Sequence, residues 1–314
     1  MSAAQKSLAL HLGLIGGLFA LAFILPTYHH GNFARIMVLA TYAIGYNVLF
    51  GYTGLLSLGH AMFFAAGMYG MGLAMQYGGV PALPALFLGI IAATILAAVV
   101  AVLALRTIGV AFMIVTLMFA QTGFLTILYF GEWTRGDEGF VLQQKVRQIA
   151  GLDLSDPMTR YLAAWVLFSV ALLATARMMH VAFGGVLVAI RENEERTRML
   201  GYNVFAHKFA AVVISGAIAG AAGAAYGLLF GYVGATFASV QYSIFPLLWV
   251  LLGGAGTTIG PFIGALFMFY LIDYSSGLTS AYMLIAGVAL VLLTLFARAG
   301  IAGEIKRRWA PWLP

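Results

Sequence analysis

The 314 residues are 63% hydrophobic and 8% charged, with a mean hydropathy of +0.99. That balance excludes a soluble globular domain and points to repeated apolar runs of about 20 residues, the length a helix needs to cross a bilayer. The formal charge of +6 would suggest nucleic acid in a soluble protein; here it reads as basic residues retained on the cytoplasmic side of a membrane. With no cysteine, disulfides, thiolate metal sites and cysteine nucleophiles are excluded.

In chain order, residues 8–25 predict a first span, longer than a signal peptide's apolar region and without a small-residue cleavage site. The polar turn PTYHHGN follows, then span two over 34–50, with Asn47 near its end. Residues 51–72 carry six glycines, a density that permits close packing and a broken or re-entrant start to span three, which ends near Tyr77. Spans four and five cover 83–105 and 109–130. The longest polar connection, 131–159, has nearly balanced charge, and span six runs 160–180.

A polar island at 183–208 interrupts this oily chain. From Arg191 to Arg198, seven of eight residues are charged or amide-bearing. Glu192 with Arg196, and Glu194 with Arg198, are four apart with the acid first, the favourable order on a helix. Val186, Leu187, Ile190 and Leu200 supply an apolar edge; Gly201 reads as a helix stop and Asn203 as the next cap. On the residues alone, a helix that docks a partner protein and an ordinary solvated loop are both open.

Span seven covers 209–232, where Gly216 and Gly220, then Gly223, Gly227 and Gly231, recur every fourth residue and mark close-packing faces. The stretch 236–273 is apolar except for GGAGTTIGP, and a last span covers about 281–297. Basic residues in the island and the tail place both in the cytoplasm, with Arg35 the one exception to the charge rule. Parity then requires 236–273 to be a hairpin of two short spans or a re-entrant loop. The expected fold is an all-α polytopic membrane protein of about ten segments with both termini cytoplasmic. Trp309 and Trp312 read as interfacial anchors.

No Gly-Lys pair occurs, so the chain has no phosphate loop and no ATPase of its own. Metal-spaced His–Glu pairs and a G-x-S-x-G turn are lacking too, so no catalytic or metal residue is assigned. Few ionisable groups fall in the spans, His60 and Asp273 among them, which speaks against an ion-coupled carrier; the missing nucleophile motifs speak against an intramembrane enzyme. The GGAGTTIGP run reads either as irregular backbone lining a cavity or as a tight packed turn. Gly54, Ser57, His60, Gly253, Gly254, Gly256 and Thr257 are the resulting candidates for a substrate pathway.

Three blocks carry a resemblance: GYTGLLSLGHAMFFAAGMYG, AIRENEERTRMLGYNVFAHKFAAVVISGAIAGAAGA and LLGGAGTTIGPFIGA. Together and in order they resemble the signature blocks of LivM-type permeases, the membrane subunits of ABC importers for branched-chain amino acids. WTRGDEGF resembles that family's outer-loop block, with Arg135 where glycine is commoner. The resemblance implies a single permease domain over 1–314, with a periplasmic loop at 131–159, a cytoplasmic coupling loop at 181–208 and a cytoplasmic tail at 298–314. It also implies that Arg191, Glu192, Asn193, Glu194 and Gly201 meet an ATPase subunit. Implied partners are a homologous LivH-type permease, two ATP-binding subunits carrying the ATP and Mg, a periplasmic binding protein and the lipid bilayer, with no nucleic acid. Relatives with the same blocks import urea or short amides, so the cargo stays open between these and amino acids.

Overall fold

The computed structural model describes residues 3–149, 151–279, 281–296 and 299–308. Arg298, Trp309 and Trp312 lie outside them. Its helices, in chain order, are α1 (Ala3–Ile24), α2 (Thr27–Asn47), α3 (Ala61–Gln76), α4 (Ala82–Ala104), α5 (Val110–Tyr129), α6 (Gly131–Thr134) and α7 (Pro157–His180). They continue with α8 (Ala182–Glu192), α9 (Glu194–Met199), α10 (Val204–Phe230), α11 (Val240–Gly253), α12 (Gly260–Leu278), α13 (Tyr282–Phe296) and α14 (Gly300–Arg308). Seven of the described helices are long and apolar enough to cross a bilayer: α1, α2 with a π-helical turn (Val48–Tyr52) appended, α4, α5, α7, α10 and α12. At 16, 14 and 15 residues, α3, α11 and α13 are shorter.

The expected all-α chain needs one amendment. Two-residue strands β1 (Phe140–Val141), β2 (Gln148–Ile149), β3 (Leu152–Asp153) and β4 (Tyr232–Val233) occur in the loops. β1 pairs antiparallel with β4, Phe140 opposite Val233, and β2 pairs with β3. Irregular loop backbone carries donors and acceptors that must be met, and these ladders meet them. Arg147 adds to the tie: its guanidinium donates to the Leu229 carbonyl at 3.3 Å and to Ser155 Oγ at 2.7 Å.

Helix starts run earlier than hydropathy alone predicts. PTYHHGN is not a turn, because α2 begins at Thr27 behind Pro26. α7 begins at Pro157, whose missing N–H costs nothing in a first turn. Asp156 caps it, accepting from Thr159 N at 2.9 Å, and that amide holds the Asp156 carboxyl below the usual carboxylate range. α10 starts at Val204, five residues before the expected 209, because Asn203 accepts from Ala206 N at 3.0 Å.

α2 is the central strut, packed on α7, α10, α11 and α12. A second group, α3, α4 and α10, is held by very small residues. Ala85, Gly89, Ala93, Ala97 and Ala101 form a buried stripe on α4. Gly216 and Gly220 of α10 face Ala97 and Ala93 across it, while Gly223 and Gly227 face Phe64 and the Met68–Met71 turn of α3. Lipid competes for apolar surface, so helices associate in a membrane through close packing and hydrogen bonds instead. The outward faces of α4 and α5 carry Phe87, Ile91, Ile95, Ile114, Met118 and Leu125, all exposed.

Span three does have a broken start. After the π turn the backbone leaves helix through residues 54–60 and resumes at Ala61. Such backbone survives inside a membrane only where protein satisfies it. Leu55 N reaches Leu49 O at 3.0 Å, Leu58 N reaches Thr116 Oγ1 at 3.3 Å, and Ala61 N reaches Ser243 Oγ at 2.9 Å. The Tyr46 hydroxyl donates to the Ser57 carbonyl at 2.9 Å.

The bundle has two distinct ends. At one, α8, α9, the start of α10 and α14 gather with the start of α1, where Ser7 Oγ lies 3.4 Å from His180 Nε2. At the other, the 131–156 loop meets residues 231–233. The first turns of α1 and the helix α14 thus both lie at the island end.

Candidate functional site

The polar island folds as two short helices, not one. Asn193 takes an extended conformation (φ −159°, ψ 102°) that ends α8, and its side chain caps α9 by accepting from Arg196 N at 2.9 Å. An asparagine side chain competes with helix for backbone groups in this way. Glu192 and Arg196 consequently sit on different helices and form no ion pair, contrary to their spacing. Glu194 does pair with Arg198 at 3.2 Å, and also with Lys208 of α10. Lys208 is 8% exposed, so this second pair pins α9 to the root of α10. Gly201 has φ +90° and turns the chain back.

The expected apolar edge is split. Val186, Leu187 and Ile190 are buried against Val204, Ala211 and Tyr52, but Leu200 is 70% exposed and Met199 85%. These two form a bare apolar tip between α9 and α10.

Arg191 connects the island to the membrane bundle. Its guanidinium turns inward and donates to the Gly51 carbonyl, beside the turn at residues 254–259 that joins α11 to α12. Gly54 and Gly256 have φ of +76° and +75°, and a Cβ on either would press on Arg191, at 3.0 and 2.9 Å. Asn47, 1% exposed, closes the other side: Nδ2 donates to Thr257 O and Oδ1 accepts from Gly256 N, both at 2.9 Å. Nothing but its amide in an apolar span marked Asn47 in the sequence. That is the signal to use, because a polar group there needs partners.

Two further elements reach the same turn. His11 of α1 is oriented by Ser7, Nδ1 donating to Ser7 O at 2.6 Å; in the neutral ring Nε2 then accepts from Thr258 Oγ1 at 2.7 Å. α14 closes against Gly254, where Gly303 N would lie 2.7 Å from an added Cβ. Between these elements opens a cavity of about 530 Å³ lined by Arg191, Gly256, Thr257, Tyr52 and Lys306. Burial, and then the nearby Arg191 charge, pushes the Lys306 ammonium below the usual lysine range.

Among the sequence candidates, Arg191, Gly54, Gly256 and Thr257 are thus brought together, and Glu194, Asn193 and Gly201 shape the helices around them. Glu192 is exposed. Gly253 and Gly254 pack against α12 and α14 rather than facing the cavity. Ser57 and His60 lie elsewhere, sealed in the core; His60 stacks on Tyr42, with centroids 5.6 Å apart, and lies 3.4 Å from Ser215 Oγ. Side chains or backbone of four separate elements, α1, α2, α8 and α14, thus converge on or beside this one six-residue turn.

Comparison with known proteins adds the biological setting. The family model described as "Branched-chain amino acid transport system / permease component" matches residues 31–297. The high-affinity branched-chain amino acid transport system permease protein LivM of Escherichia coli K12 is 27% identical over 288 residues, covering 84% of this chain and 68% of its own length. Its Salmonella typhimurium counterpart matches equally. A probable LivM of Methanocaldococcus jannaschii is 30% identical over 160 residues, 45% of this chain and 46% of that protein. No solved structure matches significantly.

Proposed function

The chain belongs to the family of branched-chain amino acid transport permeases, and from that premise we propose that it is the membrane-spanning permease subunit of an ABC importer for branched-chain or related amino acids. It is a multi-pass protein of the inner membrane and a transport subunit, not an enzyme. ATP with Mg is hydrolysed on two partner subunits; a homologous LivH-type permease completes the channel, and a periplasmic binding protein delivers substrate. Ten helices, the seven long ones with α3, α11 and α13, form the membrane segments, with both termini, 181–208 and 298–314 in the cytoplasm and 131–159 in the periplasm. At about 21 Å, α11 is short for a bilayer core, and with α12 it makes a crossing pair whose turn faces the cytoplasm.

One observation carries this reading: the island presents a bare apolar tip with a charged flank, and Arg191 ties it to the Gly51 carbonyl at the end of α2, beside Gly256 of the 254–259 turn. A short rigid helix with apolar grip and charge for register suits docking into an ATPase cleft. Nucleotide-driven closure there shifts the permease between two states. In this scheme Glu192 and the Met199–Leu200 tip contact the ATPase, Arg191 transmits, and Asn193, Glu194 and Gly201 hold the shape.

The test uses the absence of native cysteine. Met199→Cys is expected to react with a membrane-impermeant thiol reagent in inverted vesicles and not in intact cells, and to be protected by the ATPase subunits. Labelling from outside intact cells would overturn the reading. Glu192→Lys with Leu200→Asp should abolish co-purification of the ATPase while leaving insertion intact.

A further inference from the structure

At the end of the bundle opposite the island, a second cavity of about 320 Å³ opens between α2, α10, α11 and α12. Its walls are aromatic and aliphatic, chiefly Tyr226, Phe237, Phe245, Trp249 and Phe269. Trp249, 6% exposed, stacks on Phe245 at 5.9 Å. Two charged groups also line it, Arg35 from α2 and Asp273 from α12. No salt bridge within 4.0 Å joins them to each other or to any other described residue. Arg35 stands 5.1 Å from the centroid of the Phe230 ring.

Each charge is anomalous by itself. Arg35 is the basic residue that breaks the inside rule, and ionisable groups at the edge of a span mark binding or transport sites. Arg35 shares the Phe230 ring with Arg160, which stands 5.5 Å from its centroid. Arg35 and Asp273 are both exposed, so the cavity has a cationic side and an anionic side that no ion pair among the described residues neutralises. A single ligand that carries both opposite charges a short distance apart would satisfy both at once. The volume lies in the range of small-molecule sites, which are mostly apolar with a few fixed polar groups.

We propose that this cavity is a subsite for a zwitterionic α-amino acid with an aliphatic side chain. The Arg35 guanidinium takes the carboxylate, Asp273 takes the ammonium, and the side chain lies on Phe245 and Trp249. Arginine suits a carboxylate through its paired donors. Resting on the importer reading above, the assignment narrows it: a neutral solute such as urea gains nothing from the charge pair. The site lies on the entry side, above the buried stack in which Tyr42 packs against both Trp249 and His60.

The complete transporter with its binding protein, reconstituted in proteoliposomes, provides the test. Ser276→Cys, at the cavity rim, or Ile272→Cys one turn before it, places one thiol on a cysteine-free chain. Saturating leucine should slow labelling of that thiol at least tenfold, and leucinamide, which lacks the carboxylate, should protect far less. Adding Arg35→Gln should erase the difference between leucine and leucinamide; Asp273→Asn should remove protection by both, with all subunits still co-purifying. Unchanged labelling under leucine, in a transporter that imports leucine, would overturn the subsite alone. Protection by urea and not leucine would overturn it too, and a transporter that imports no amino acid would take down the functional reading with it.

Discussion

Asn47→Ala is the sharpest perturbation of the junction. The side chain makes two hydrogen bonds of 2.9 Å to backbone groups of the 254–259 turn, one to Thr257 O and one from Gly256 N. Truncation strands both groups. Side-chain hydrogen bonds within membrane proteins measure about 0.6 kcal/mol on average and reach about 1.7, so losing two costs about 1–3 kcal/mol. Water in the adjacent cavity can reach the Gly256 amide, which lines it, and this favours the lower half of the range. The assay is SDS-driven unfolding in mixed micelles, read beside ATP-driven uptake. Uptake should fall further than stability does, since the turn is also where α8 acts on the bundle. If Asn47→Ala unfolds with wild type and imports at the wild-type rate, Asn47 is not a coupling tie.

Other perturbations separate packing from strain. Gly220→Leu or Gly223→Leu drives side-chain atoms into Ala93 or the Phe64 backbone and should prevent assembly, whereas Gly17→Ala, with nothing within 4 Å, should leave yield unchanged in the same pull-down. Arg135 is the one non-glycine residue described with positive φ, at 62°. Arg135→Gly should raise stability by up to about 1 kcal/mol by relieving left-handed strain, measured by SDS unfolding. Glu194→Gln should cost about 1–2 kcal/mol, because it leaves Lys208 buried without its partner, discounted from the fully buried case since Glu194 is partly exposed. Lys208→Met in that background should recover part of the loss, and no recovery would place the cost elsewhere.

The long spans were legible because lipid permits so few solutions: apolar length, glycine spacing and basic residues predicted about ten segments, of which seven are long apolar helices among the described residues, and grouped the polar segments. What escaped was set by partners far away in the chain. The island's charge spacing suits one continuous helix, but Asn193 spends its side chain as a cap and splits it. PTYHHGN looks like a turn by polarity, yet Pro26 starts a helix there. Tyr42 donates to the Tyr242 carbonyl at 3.2 Å; that carbonyl is free because Pro246, four residues on, has no N–H to give it. No local pattern announces such a bond. The convergence of Gly54, Arg191 and Gly256 was likewise invisible, since the first and last of them are 202 positions apart.

The broken stretch before α3 has a consequence for how the chain is made. Its backbone is completed by groups synthesised later: Leu58 waits for Thr116, and Ala61 waits for Ser243. A ribosome that has just released residue 77 has delivered a segment that cannot yet rest stably in lipid. Its amides must keep water, translocase or a chaperone as company for most of translation. Truncations ending before residue 243 should therefore be cleared by membrane proteases, however apolar their spans.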